Sequence, residues 1–241
     1  MKNGKRRRRN NRKRTEQARI RRTIVIGGTM LVLALLFLLV RKFSSGDNSG
    51  TTLTAGPISL NAGAGTAEEA LEPTYNVELL TVNEYSRPGI ASGEIHGIVI
   101  HYTANPGATA QENRDYFEGL KDTHTTKASS HFIIGLQGEI IQCIPTGEIA
   151  YASNDRNSDT VSIECCHPDS TGKFNEKTYT SMVRTTAWLC AKFGLTADDV
   201  IRHYDVTGKN CPKYFVEHED AWNAFKQDVS ALLTKAEGTV Q

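Results

Sequence analysis

Beyond residue 77 the hydrophobic and polar positions fall into two periods. Short β-type runs stand at 97–102 (Gly-Ile-Val-Ile-His-Tyr), 132–135, 139–144 and 161–165, with the turn signal Leu136-Gln-Gly138 joining the second and third. Helical stripes alternate with them. Thr109 is placed to cap a helix running to about Leu120, and Asn175 to cap one whose stripe of Tyr179, Met182, Val183, Thr186, Cys190 and Phe193 ends at Gly194. A last helix carries Ala221, Trp222, Phe225, Val229 and Leu232 on one face. These stripes are core faces rather than cofactor boxes. Strands interleaved with helices over residues 77–241 predict a single α/β domain, a mostly continuous sheet covered by helices.

The pattern before residue 77 is different in kind. Residues 23–40, from Thr23 to Val40, carry no charge and are long enough to cross most of a bilayer core, so they predict a transmembrane helix. Twelve Lys and Arg precede that span and only Arg41 and Lys42 follow it closely, which sets residues 1–22 in the cytoplasm and the rest outside. A cleaved signal peptide would have a shorter apolar core of about 7 to 15 residues and a small-x-small site, which is not evident after Val40. From Phe43 to about Asn76 the chain is rich in Gly, Ser, Thr and Ala, and 41–76 is expected to be a flexible linker.

Charge sharpens this division. Of 28 Lys and Arg, 14 lie in residues 1–42 beside the single acid Glu16, leaving 14 bases against 26 acids, a net of −12, for the remainder. The run Lys5 to Arg9 with Arg12-Lys-Arg14 has the composition of a nucleic-acid patch. Next to an apolar span, topology and attraction to anionic lipid account for it, so no nucleic-acid partner is expected. Cys143, Cys165, Cys166, Cys190 and Cys211 are odd in number, so at least one stays unpaired, and pairings among the others are not fixed by sequence. Adjacent Cys165 and Cys166 on a strand point to opposite faces.

The chemistry concentrates in His203-Tyr-Asp-Val-Thr-Gly-Lys-Asn-Cys211, which puts an imidazole, a lysine and a thiol in one short loop. Imidazole and thiolate are zinc ligands, and a hydrolytic zinc site needs three protein ligands with a fourth position open. His101, at the end of the 97–102 run, is the natural third donor. His124, His167 and His218 have no spacing that joins them to this group and are read as surface residues. A helix bearing His-Glu-x-x-His, which many zinc peptidases use, does not occur.

Taken in order, His101, Ser129-Ser-His-Phe-Ile-Ile134, Ser162-Ile-Glu164 and His203…Lys209-Asn-Cys211 resemble the zinc-dependent N-acetylmuramoyl-L-alanine amidases, the family of phage lysozyme-like amidases and peptidoglycan recognition proteins. The resemblance covers about residues 77–230. It implies a mixed sheet flanked by helices, Zn2+ held by His101, His203 and Cys211, and cleavage of the amide between the lactyl group of muramic acid and the L-alanine of the stem peptide. Some relatives place a catalytic Tyr immediately before the His of the Ser-His-Phe strand, where this chain has Ser130. Others use a Glu at the position of Glu164, to which the resemblance assigns the general base. Lys209 matches the family's oxyanion-stabilising lysine. Ser130 and His131 are expected to touch substrate, His131 alternatively packing beneath the metal as a core histidine. Relatives that lack the Cys ligand bind without cutting, so Cys211 favours an enzyme over a muropeptide-binding or sensing protein. The expectation is a peptidoglycan hydrolase anchored by residues 23–40 and working outside the membrane.

Overall fold

The computed structural model describes residues 52–240. The basic segment 1–22, the apolar span 23–40 and residues 41–51 of the expected linker lie outside the described residues. Among the described residues, no helix is long and apolar enough to cross a membrane.

In chain order the elements are helix α1 (Ala67–Leu71), strands β1 (Asn76–Val77) and β2 (Gly97–Tyr102), helix α2 (Ala110–Thr123), strands β3 (Phe132–Ile134) and β4 (Ile140–Gln142), and a 3-10 turn at Asn154–Arg156. Strand β5 (Thr160–Cys165), helix α3 (Glu176–Phe193), strand β6 (Val200–Arg202) and helices α4 (His203–Thr207), α5 (Lys213–Glu217) and α6 (Glu219–Thr239) follow. The expected caps hold, although α2 runs on past Leu120 to Thr123. Thr109 and Glu112 form a reciprocal capping box on α2. Asn175 caps α3 by accepting from the Thr178 N–H, and Gly194 ends it in the left-handed conformation with φ 66°.

The sheet runs β1-β4-β3-β5-β2-β6, parallel throughout except for the antiparallel β3–β4 hairpin, so it is mixed as expected. Its two faces have different fates. Ile98, Ile100, Phe132, Ile134, Val161, Ile163 and Cys165 face a large core closed by α3 and α6. On the reverse face, Ile133 and Ile141 pack under Phe117 and Leu120 of α2, with Cys143 and Cys166 in the same cluster. Cys165 and Cys166 therefore fall in separate cores, and all five cysteines are buried free thiols. The same alternation sends His101 and Glu164 to the α2 face, beyond the part that α2 covers.

The expectation of a flexible linker up to residue 76 is corrected by the structure. Residues 53–72 form a strap bound to α3 and α6. Leu53, Ala70 and Leu71 are buried in the large core. Arg184 on α3 donates to the Leu71 and Glu72 carbonyls at 2.9 and 3.0 Å, the Thr180 hydroxyl accepts from the Gly56 N–H at 2.7 Å, and Lys192 pairs with Glu68 at 2.6 Å. The Asn61 amide holds the strap's own bend by donating to the Glu69 and Glu72 carbonyls. Apolar contacts from Leu53, Ala55, Ile58, Leu60, Ala70 and Leu71, together with side-chain bonds to backbone, fasten this strap, and their spacing follows no regular helix or strand period in the sequence.

Leu71 has no exposed surface. Leu71→Ala should lower the unfolding free energy by about 2–5 kcal/mol through lost burial and the cavity left behind. Urea denaturation of the full chain measures this, and a loss under about 0.5 kcal/mol, the surface-substitution range, would mean that the strap is not part of the folded unit.

Candidate metal centre

Three elements deliver the donors. β2 ends near His101, β6 runs directly into His203 at the start of α4, and the loop after α4 returns to place Cys211 beside them. The donor atoms of His101, His203 and Cys211 all lie within 4.8 Å of one another, and all three residues are buried. His101 Nδ1 is 3.8 Å from Cys211 Sγ, and the two imidazoles meet edge to face with centroids 4.7 Å apart. The expected trio is thus brought together from positions 110 residues apart in the chain.

Each group's protonation follows from its burial. Burial first, and then the charges of His203 and Lys209, hold His101 well below the usual histidine range. His203 is lowered by burial and by Lys209. Both rings are therefore neutral, the form that binds metal. Burial pushes the Cys211 thiol up to about 12, with the Tyr102 backbone bond and Lys209 working the other way. A cation beside the sulfur reverses that burial penalty.

Glu164 is the next neighbour. In the parallel β2–β5 register it sits opposite His101, with Oε1 at 4.0 Å from His101 Nδ1. Its side chain is 17% exposed, yet Oε2 is buried and has no hydrogen-bond partner among the described residues. Burial raises its carboxyl to about 8 against the pull of Lys209. Two neutral imidazoles, a buried thiol and an unpartnered carboxylate oxygen at one point fit a divalent transition-metal ion with an open position.

His101, Glu164 and His203 line a cleft of about 550 Å³ together with Tyr116, Phe117, Lys127, Tyr151 and Asn154. That is the size of a small-ligand site. Lys209 is exposed and lines the same cleft.

Ser130 and His131 do not reach the cleft, which corrects their expected contact with substrate. Both are buried, at 0% and 1% exposure. Ser130 donates to main-chain carbonyls at Phe132 and Ser162, while His131 is held between Ser162 at 3.0 Å and the Glu148 carbonyl at 2.9 Å. Burial takes His131 down to about 4, so it is a neutral, satisfied core histidine. His167 is also corrected. It is 1% exposed, bonded through Nδ1 to the Asp169 carbonyl and packed on Tyr102, whereas His124 and His218 are exposed as expected.

Sequence reading missed the turn at 151–157. Ser153 Oγ lies 3.3 Å from His101 Nε2, and Asn154 Oδ1 lies 3.3 Å from His203 Nε2. The polar run Ser153-Asn-Asp-Arg-Asn157 reads as an ordinary turn, and only its three-dimensional closure on the histidines gives it meaning.

This mixed sheet with a buried His/His/Cys group at its strand ends defines a candidate metal-dependent hydrolase. The chain belongs to the N-acetylmuramoyl-L-alanine amidase family, whose sequence model matches residues 91–214 and takes in His101, Glu164, His203, Lys209 and Cys211. It is similar to a probable N-acetylmuramoyl-L-alanine amidase of Bacillus licheniformis, 37% identical over 164 residues that make up 63% of this chain and 46% of that protein. N-acetylmuramoyl-L-alanine amidase CwlL of the same organism is 36% identical over 165 residues, 63% of this chain and 45% of that protein. The chain spans about half the length of the curated relatives it matches. Among solved structures, the catalytic domain of XlyA is 26% identical with a TM-score of 0.56, covering 65% of this chain and 99% of that domain.

Raising the Glu164 carboxyl from 4.5 to about 8 has a consequence for stability. Between these values the folded chain holds a proton that the unfolded chain has lost, so this group's contribution falls as pH rises through that window. The thermal midpoint of the metal-free parent should therefore fall relative to that of Glu164→Gln between about pH 4.5 and 8. Parallel profiles for the two proteins would show that the carboxyl is not raised.

Proposed function

We propose that this chain is a zinc amidase that hydrolyses the amide between the lactyl group of N-acetylmuramic acid and the L-alanine of the peptidoglycan stem peptide. The observation that carries the reading is the convergence of His101, His203 and Cys211, with Glu164 beside His101 and both histidines and Glu164 lining one cleft, in a chain of this family. His101, His203 and Cys211 would hold the zinc, and when bound the ion supplies a Lewis acid that polarises a carbonyl and makes water acidic near neutral pH.

The chain's own residues do the rest. Glu164 is the general base: it takes the proton of the attacking water and returns it to the leaving amine nitrogen. A carboxyl raised toward neutrality is suited to both halves of that transfer, and no tyrosine stands at position 130 to share it. Lys209, on the cleft wall, offers its ammonium to the oxyanion that develops on the scissile carbonyl. Tyr116, Phe117 and Tyr151 in the cleft lining offer aromatic surface to the substrate. Retention of Cys211 favours cutting over binding alone.

Digestion of purified peptidoglycan by the full chain should release peptides that begin at L-alanine and leave glycan bearing free lactyl groups, both read by mass spectrometry. Glu164→Gln should keep its zinc and lose about two to four orders of magnitude in turnover. If Glu164 only oriented His101, the change would instead weaken zinc binding by about 10- to 100-fold, so both quantities are measured on one preparation. Muropeptide binding with no cleavage by the parent would replace the enzyme reading with that of a binding protein.

We further propose that residues 23–40 anchor the chain, with residues 1–22 in the cytoplasm, 41–51 as tether and the amidase domain on the cell-wall side. The twelve-to-two charge bias around the apolar span supports this arrangement, which would put the domain on the side where peptidoglycan lies. Protease added to intact spheroplasts should remove the domain. Full protection would reverse the topology.

A further inference from the structure

The turn between β4 and β5 is built more firmly than a connection needs to be. The side-chain oxygen of Asn157 accepts from the backbone N–H groups of Ala152 and Ser153 at 3.1 and 2.6 Å. Upstream, the Ser129 hydroxyl accepts from the Tyr151 N–H at 2.9 Å, and the Ser129 N–H donates to the Tyr151 carbonyl at 3.1 Å. Between these clamps Asn154 takes φ 50°, the left-handed region that asparagine tolerates better than most residues. That backbone step lets two successive side chains serve two neighbouring rings. The buried Ser153 meets His101, and Asn154, at the cleft lip, meets His203.

Both contacts are to Nε2, at 3.3 Å in each case. The other nitrogen of His101, Nδ1, faces Cys211 Sγ, and Nδ1 of His203 has no hydrogen-bond partner among the described residues. An amide oxygen can only accept, so Asn154 requires the proton of His203 to be on Nε2. The Ser153 hydroxyl can donate or accept, and when it accepts the Nε2 proton the neutral His101 turns an Nδ1 lone pair toward Cys211. In metal sites of this kind the second nitrogen's partner fixes tautomer and ring orientation.

We infer that Ser153 and Asn154 are a positioning pair that locks both imidazoles as Nε2–H tautomers and aims their Nδ1 lone pairs at a shared metal. The inference rests on the zinc reading of the site. Neither residue touches the reacting atoms by this account; each acts through its histidine. The device is local and asymmetric, since the deep histidine takes a buried hydroxyl and the histidine at the lip takes an exposed amide.

Three variants of the full chain test the pair. Asn154→Gly keeps the left-handed backbone available and removes the acceptor, Asn154→Asp keeps an acceptor, and Ser153→Ala removes the hydroxyl. Zinc affinity is measured by competition with a chelator, the visible spectrum of the cobalt-substituted protein reports ligand geometry, and melting of the metal-free protein reports folding. Asn154→Gly and Ser153→Ala should each bind zinc about 10- to 100-fold more weakly with altered cobalt bands, while the metal-free melting midpoints stay near the parent's. Asn154→Asp should keep affinity within about threefold of the parent, far less than the loss expected on removing such a partner. Parental affinity in either Asn154→Gly or Ser153→Ala overturns the pair. Equal loss in Asn154→Asp and Asn154→Gly overturns it too, because the acceptor is then irrelevant. Should the parent bind no zinc, the metal-centre reading itself fails, an outcome separate from the failure of the pair.

Discussion

Pairing of β2 with β5 in parallel, with His101 level with Glu164, is the constraint on which the rest of the site depends. Side chains alternate between faces along a strand, so a slip of one residue in β2 would send His101 into the apolar core under α3 and bring Ile100 to the cleft. The register is held because Ile98 and Ile100 on β2 and Val161 and Ile163 on β5 are buried together on the other face. Burying these four side chains is worth roughly 1.5–3 kcal/mol each, far more than a polar contact at the site could offset. The apolar face thus decides where the chemistry stands.

The same burial that fixes the register sets the protonation of the site. Withdrawal from water keeps His101 and His203 neutral, and it pushes Glu164 and Cys211 toward their protonated forms. Lys209 is the local positive charge that opposes this for the two acids while reinforcing it for the two imidazoles. A metal-free centre is therefore close to uncharged apart from Lys209. A divalent cation held by His101, His203 and Cys211 would meet two neutral imidazoles and a thiol whose proton it would displace.

Much of this was legible in the sequence, for identifiable reasons. Helices α2 and α3 were readable because Thr109, Asn175 and Gly194 are residues whose side chains or backbone freedom end helices. The His101, His203 and Cys211 group was readable because imidazole and thiol in one loop, with a histidine at a strand end, are few enough in kind to stand out. The short β1, of two residues, is below the length at which alternation is visible. Ser130 and His131 have chemically versatile side chains, and nothing in their identity tells that Ser162 and Glu148 already occupy them. Ser153 and Asn154 were hidden for the complementary reason: an ordinary polar turn acquires its role only from what folds against it.

The strap at residues 53–72 lies on the α3 and α6 side of the sheet, whereas the cleft opens on the side of α2. Tension applied to the chain ahead of Leu53 would run along the strap and into α3 through Gly56, Arg184 and Lys192. None of those connections passes through β2, the loop bearing Cys211 or the turn at 151–157. Mechanically the domain is thus hung from its back, and a pull that peeled the strap would load α3 before it disturbed the geometry of the metal donors.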